Sequence, residues 1–120
     1  MKNLTLKTAI LSAALSWGSC PLAAQESQFR RGDVNGDRTV DIADPIFVLV
    51  HLFAGGPQLP CEKAADFDDS GSINLSDAIF GLNYLFRKGS VPRAPFGQCG
   101  SDTTADGLSC AQSPCDDEVP

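Results

Sequence analysis

Two twelve-residue windows, DVNGDRTVDIAD from Asp33 and DFDDSGSINLSD from Asp66, place oxygen-bearing side chains at positions 1, 3, 5, 9 and 12, and each leads into an apolar run of helical length. In a tight loop this spacing turns every second side chain, and the carbonyl of position 7, towards one point. That is what a hard cation such as Ca²⁺ requires for its roughly six to eight oxygen ligands. The first window offers Asp33, Asn35, Asp37, the Thr39 carbonyl, Asp41 (directly or through water) and Asp44; the second offers Asp66, Asp68, Ser70, the Ser72 carbonyl, Asn74 and Asp77. Two Ca²⁺ ions are expected. The first loop carries more negative charge, but position 6 needs a positive φ, which Gly71 supplies freely and Arg38 adopts at about 1–2 kcal/mol. A lone window of this kind also describes a solvated acidic turn; two copies in register, 33 residues apart, argue against that reading.

The copies agree beyond the ligands. Val40 and Ile73 share position 8, where an apolar side chain can point away from the ion while the loops pair side by side. In ADPIFVLVHLFAGG and SDAIFGLNYLFRKG, Ile46, Phe47, Leu49, Leu52 and Phe53 superpose on Ile79, Phe80, Leu82, Leu85 and Phe86. The spacing predicts two helices whose stripes Ile46–Leu49–Leu52–Phe53 and Ile79–Leu82–Leu85–Phe86 form the core. Phe47, Phe80, His51 and Tyr84 fall on the flanks. Pro45 suits a first turn, Asp44 and Ser76 or Asp77 are candidate caps, and Gly55 and Gly89 are candidate stops. The fold class expected is small and all-α.

An entering helix is missing at both loops. Only ESQFRRG precedes Asp33, and the connector GGPQLPCEKAA before Asp66 holds two prolines. Loop plus exiting helix, twice, with Asp at position 12, resembles the dockerin family, calcium-dependent docking modules of bacterial extracellular polysaccharide-degrading systems. The resemblance covers residues 32–89, with repeats 32–56 and 65–89. It implies two F-hand repeats with antiparallel helices, an ion at each end of the pair, and non-covalent docking to a cohesin-like domain of a scaffold or surface protein. In the family, partner choice depends on loop positions 10 and 11 and on exposed helix positions. Here those loop positions are Ile42, Ala43, Leu75 and Ser76, with Asn83 and Arg87 further along the second helix. The hydroxyl pairs common in cellulosomal members are mostly absent, which argues against a standard cohesin. Arg87 and Lys88 have no charged counterpart at Ala54 and Gly55, which favours one binding orientation over two equivalent ones.

The remainder reads as a small exported module. Residues 1–24 have a positive start, an apolar stretch and a PLAA cleavage signal, so cleavage near Ala24 is expected; lipidation at Cys20 is the alternative. Residues 25–31 read as a linker and 90–120 as an irregular tail ending in a frayed acidic CDDEVP. Cys61, Cys99, Cys110 and Cys115 form an even set suited to an oxidising compartment. Three pairings are possible; Cys61 with Cys99 and Cys110 with Cys115 is the expected one, and zinc is disfavoured for lack of a CxxC pair. Asp102 and Asp106 read as turn residues, not a third metal loop. A net charge of −6 disfavours nucleic acid and anionic lipid as partners. Catalysis finds no partnered group outside the metal loops, so no enzyme and no membrane span are expected, and a monomer is. The expected function is a secreted, calcium-dependent docking module; the alternative is a calcium-stabilised spacer, or remnant of a larger secreted protein, with no partner of its own.

Overall fold

The computed structural model describes residues 27–117; the expected signal segment and the last three residues lie outside the described residues. Three helices follow one another, α1 (Ala43–Phe53), α2 (Glu62–Ala65) and α3 (Leu75–Phe86), and a 3₁₀ turn spans Pro114–Asp117. No strand forms among the described residues. Two isolated antiparallel bridges, Phe29 with Gly100 and Cys61 with Cys110, are the only extended pairings among them. The chain is thus small and helical, with α1 packed on α3 and two disulfides holding the rest.

Helix ends follow from local chemistry. Asn74 caps α3: its Oδ1 accepts from Ser76 N (2.8 Å), and Asp77, in the third helical position, accepts from Asn74 N (2.9 Å). The cap is therefore Asn74 with Asp77 reciprocating, the capping-box arrangement, and neither Ser76 nor Asp77 caps on its own. At α1 the Asp41 carboxylate accepts from Ala43 N (2.8 Å), and Pro45 sits in the first turn, where its missing N–H has no intrahelical partner to lose. Both helices stop the same way. Gly55 (φ 62°) and Lys88 (φ 52°) take the left-handed turn, after which Gly56 N and Gly89 N bond back to Val50 O and Asn83 O. Gly89 serves by close approach instead of by φ, since a Cβ there would lie 2.9 Å from the Asn83 backbone.

The inward faces differ from the expected stripes. Asp44 and Asp77 point into their loops, and a residue four positions on lies above each on the same face. The buried sets are accordingly Asp44, Pro45 and Val48 on α1, and Asp77, Ala78 and Gly81 on α3. Ile46, Ile79, Phe53 and Phe86 are 46%, 48%, 70% and 64% exposed, so four of the eight stripe residues do not form core. The core joins Val34, Val48, Leu59, Ala65, Phe67 and Ala78, with Phe47, Leu49, Leu52 and Phe80 packed against it. Val40 and Ile73 also pack on this core, and no bridge joins them, so the loops are not paired through position 8.

The repeats fill one volume in two ways. Val34 and Val48 of the first correspond to Phe67 and Gly81 of the second. A Cβ on Gly81 would come within 2.9 Å of the Phe67 ring, so the missing side chain makes room for the larger one.

The flanking segments belong to the fold. Residues 27–31, expected as a linker, enter the interior: Phe29 and Arg31 are fully buried, and Phe29 packs with Cys61 and Ala64. The disulfides are Cys61–Cys110 and Cys99–Cys115, not the pairing expected. Tail backbone runs beside Pro60–Glu62 through Glu62 N to Ser109 O and Gln112 N to Pro60 O, which sets Cys110 opposite Cys61. The acidic end up to Asp117 is a 3₁₀ turn tied down at Cys115, where a frayed end was expected. Phe96 covers α3 through an edge-on contact with Tyr84 (5.2 Å).

Gly81→Val should lower stability by about 1–3 kcal/mol through overpacking against Phe67. In Phe67→Val/Gly81→Val, which copies the first repeat, part of that loss should return. A denaturant-melt double-mutant cycle measures it, and strictly additive effects would contradict the packing described.

Candidate metal centre

The two loops share one wiring plan, with Val34 N to Asp44 the main bond that the second loop lacks. The position-12 carboxylates reach back over the loop. Asp44 Oδ1 accepts from Val34 N (2.8 Å) and Asn35 N (3.3 Å), and its Oδ2 from Asp41 N (2.8 Å). Asp77 Oδ1 accepts from Asp68 N (3.4 Å), and its Oδ2 from Asn74 N (2.9 Å). Position 1 accepts from the amide of position 6: Asp33 Oδ2 from Arg38 N (3.0 Å), Asp66 Oδ2 from Gly71 N (2.9 Å). Position 3 accepts from position 5: Asn35 Oδ1 from Asp37 N and Asp68 Oδ1 from Ser70 N, both 3.1 Å. Left-handed backbone recurs at position 4 (Gly36 φ 76°, Asp69 φ 55°) and position 6 (Arg38 φ 71°, Gly71 φ 82°). Arg38 therefore adopts the conformation that glycine favours.

Burial follows the same plan. Asp33, Asp44, Asp66 and Asp77 are buried, while Asp37, Thr39, Ser70, Ser72 and Asn74 are exposed and Asn35, Asp41 and Asp68 are half-buried. Asp66, Asp68 and Asp77 each bring a carboxylate oxygen within 4.8 Å of the others. In the first loop Asp33 Oδ1 is buried without a hydrogen-bond donor. Converging carboxylates and a donorless buried oxygen are what a cation would satisfy, so the residues present fit a metal ion.

Electrostatics agree. Burial pushes the Asp44 carboxyl up to about 6 against the opposing amides of Asp41, Asn35 and Val34. Burial, with the charges of Asp68 and Asp66 adding to it, pushes Asp77 up to about 7. Asp33 and Asp66 are raised mainly by burial as well. Asp68 is held below the ordinary range: burial opposes this, and hydrogen bonds with Ser70, Asp66 and Asp77 outweigh it.

One cluster escaped the sequence reading. Arg31 is wholly buried and donates to four carbonyls: Nε to Arg93 O (3.1 Å), Nη1 to Asp66 O (2.7 Å) and Lys63 O (3.3 Å), and Nη2 to Ala94 O (3.4 Å). Its Nη2 also pairs with Asp69 and Asp102, each at 3.2 Å. Lys63 Nζ sits between Asp102 Oδ2 and Asp106 Oδ1, both 2.8 Å away. Asp102 is held down at about 2: burial opposes this, and the hydrogen bond from Lys63 leads the groups that overcome it. Asp102 and Asp106 thus anchor the tail to Arg31 and α2, and the Thr104 hydroxyl ties it to Asp69 of loop two (2.7 Å). The spacing Asp102-x-Thr104-x-Asp106 was the available signal, but nothing local reveals that a lysine ammonium fills it.

Of the expected partner-binding residues, Ile42, Ala43, Leu75, Ser76 and Arg87 are exposed and Asn83 is half-buried. Ile42, Ala43, Leu75 and Ser76 gather at the two helix starts, beside the loops. His51 Nδ1 lies 3.1 Å from Pro57 O on the flank of α1. Among the described residues, no helix is long and apolar enough to cross a membrane. Compared with protein-family models, curated proteins and solved structures, the chain matches none.

Folding raises the pKa values of Asp44 and Asp77, so the metal-free folded chain binds protons more tightly than the unfolded one. Their contribution to stability is fully present below about pH 4 and is lost as pH rises through 6 to 7. In chelator, the melting temperature should therefore rise between pH 7.5 and pH 5; a flat or falling trend would contradict the burial of these groups. Asp102 does not interfere, since its contribution changes only below about pH 4.

Proposed function

We propose that the chain is an exported, calcium-binding module of the dockerin kind, which docks non-covalently on a cohesin-like domain of a secreted or surface protein. Supporting this reading above all is the repetition of one loop wiring at a 33-residue offset, with carboxylates at positions 1 and 12 buried in both copies. Oxygen-only donor sets of this kind suit Ca²⁺, one ion per loop, through Asp33, Asn35, Asp37, Thr39, Asp41 and Asp44, and through the residues 33 positions on. The two disulfides suit an oxidising, extracellular setting, as does a signal segment at residues 1–24.

Docking fits the surface that the helices leave uncovered. Ile42, Ile46, Val50 and Phe53 follow one another along α1, and Leu75, Ile79 and Phe86 occupy the matching places on α3; all are exposed. Exposed apolar residues in such registered rows mark interaction surfaces more often than spacers. Calcium would fix the loops from which both rows begin. The partner would carry an apolar face, and attachment of that kind serves extracellular polysaccharide degradation or surface assembly.

Immobilised chain should retain a secreted or envelope protein in Ca²⁺ and release it in chelator. Ile46→Asp with Ile79→Asp should weaken retention at least tenfold while leaving Ca²⁺ binding intact. No calcium-dependent partner from either fraction would favour the spacer reading.

A further inference from the structure

Loop two carries a second convergence of oxygens, distinct from Asp66–Asp68–Asp77. Asp66, Asp69 and Asp106 also bring one carboxylate oxygen each within 4.8 Å of one another. Asp106 comes from the tail, 29 residues beyond Asp77, and its Cβ lies 3.4 Å from where a Cβ on Gly71 would stand. Two parts of the chain thus meet at this point.

The Asp69 side chain has no exposure to solvent. Its Oδ1 takes Arg31 Nη2 (3.2 Å) and the Thr104 hydroxyl (2.7 Å), but its Oδ2 is buried and meets no donor. A carboxylate oxygen left in that condition calls for a positive partner. The nearby cations are already engaged. Arg31 and Lys63 share Asp102, taking one oxygen each, and Lys63 turns its remaining reach to Asp106 Oδ1. Four carboxylates, Asp66, Asp69, Asp102 and Asp106, face two cations, Arg31 and Lys63, which leaves two negative charges. A divalent ion with a preference for oxygen matches that remainder.

We infer that a further divalent cation of the Ca²⁺ class binds between loop two and the tail, held by Asp66, Asp69 and Asp106. It extends the reading of loop two as a cation site, on which it rests through the shared Asp66 carboxylate. Asp102, with both oxygens occupied by Arg31 and Lys63, positions the tail and is not a ligand. The tail thereby becomes part of a metal site, and its attachment beside loop two depends on calcium as well as on the Cys61–Cys110 disulfide.

Native mass spectrometry of the disulfide-bonded chain titrated with CaCl₂ tests this, with calorimetry alongside. The wild type should saturate at three Ca²⁺ and Asp106→Asn at two, with the same circular dichroism. Asp106→Asn keeps the Lys63–Asp102 pair, so the tail retains an anchor; Asp69→Asn should also saturate at two. Wild-type saturation at two, or at three in both variants, overturns the inference and leaves the loop sites standing. Saturation at none overturns both readings. Should the variants fail to fold, the wild-type plateau decides between two and three.

Discussion

The carboxylates at the twelfth loop position set everything else. Asp44 and Asp77 are fully buried, and each ties the start of its loop, the ninth position and the first turn of its helix into one knot of amide hydrogen bonds. Because these side chains must point into the loops, they fix which side of each helix faces inward, and hence that Val48 and Gly81 are core while Ile46 and Ile79 are not. Burying an ionised carboxylate costs several kcal/mol unless it is paired. Backbone amides offset part of that; the raised pKa values of Asp44 and Asp77 register what is left. A divalent cation in each loop would remove the remainder, and folding and metal binding would then belong to one equilibrium.

The core alone is modest, and the rest of the chain compensates. Two short helices and one apolar cluster are little for a domain of this size. The disulfides close intervals of 49 and 16 residues, each worth on the order of 3–4 kcal/mol in the chain-entropy view, though the intervals overlap and do not simply add. Arg31 is the second fastener. Its guanidinium links residues 63–69, residues 93–94 and Asp102 at the centre of the molecule. An arginine buried among carbonyls and carboxylates is stable only while all of them stay in place, so the segment before the first loop, the second loop and the tail fold as a unit.

What the sequence reveals and conceals divides along the range of the interactions. The loops were legible because their chemistry is local: alternating oxygens, a left-handed residue at position 6, an apolar run directly after. Even the strained Arg38 was readable from the place of Gly71 in the other copy. Periodicity showed that the helices exist but misjudged their inner faces, because Ile46 and Val48 are equally apolar and only the direction of Asp44 distinguishes them. The disulfide pairing, the burial of Phe29 and Arg31, and the capture of Lys63 by Asp102 and Asp106 join residues some 16 to 71 positions apart. No local pattern encodes those meetings.

The most direct test of the account reads the loops themselves. Amide hydrogen exchange at Arg38 and Gly71, the position-6 donors to Asp33 and Asp66, reports whether each loop is closed. Calcium should slow exchange at both amides by well over tenfold relative to chelator. Equal rates with and without calcium would contradict the claim that cations complete these loops.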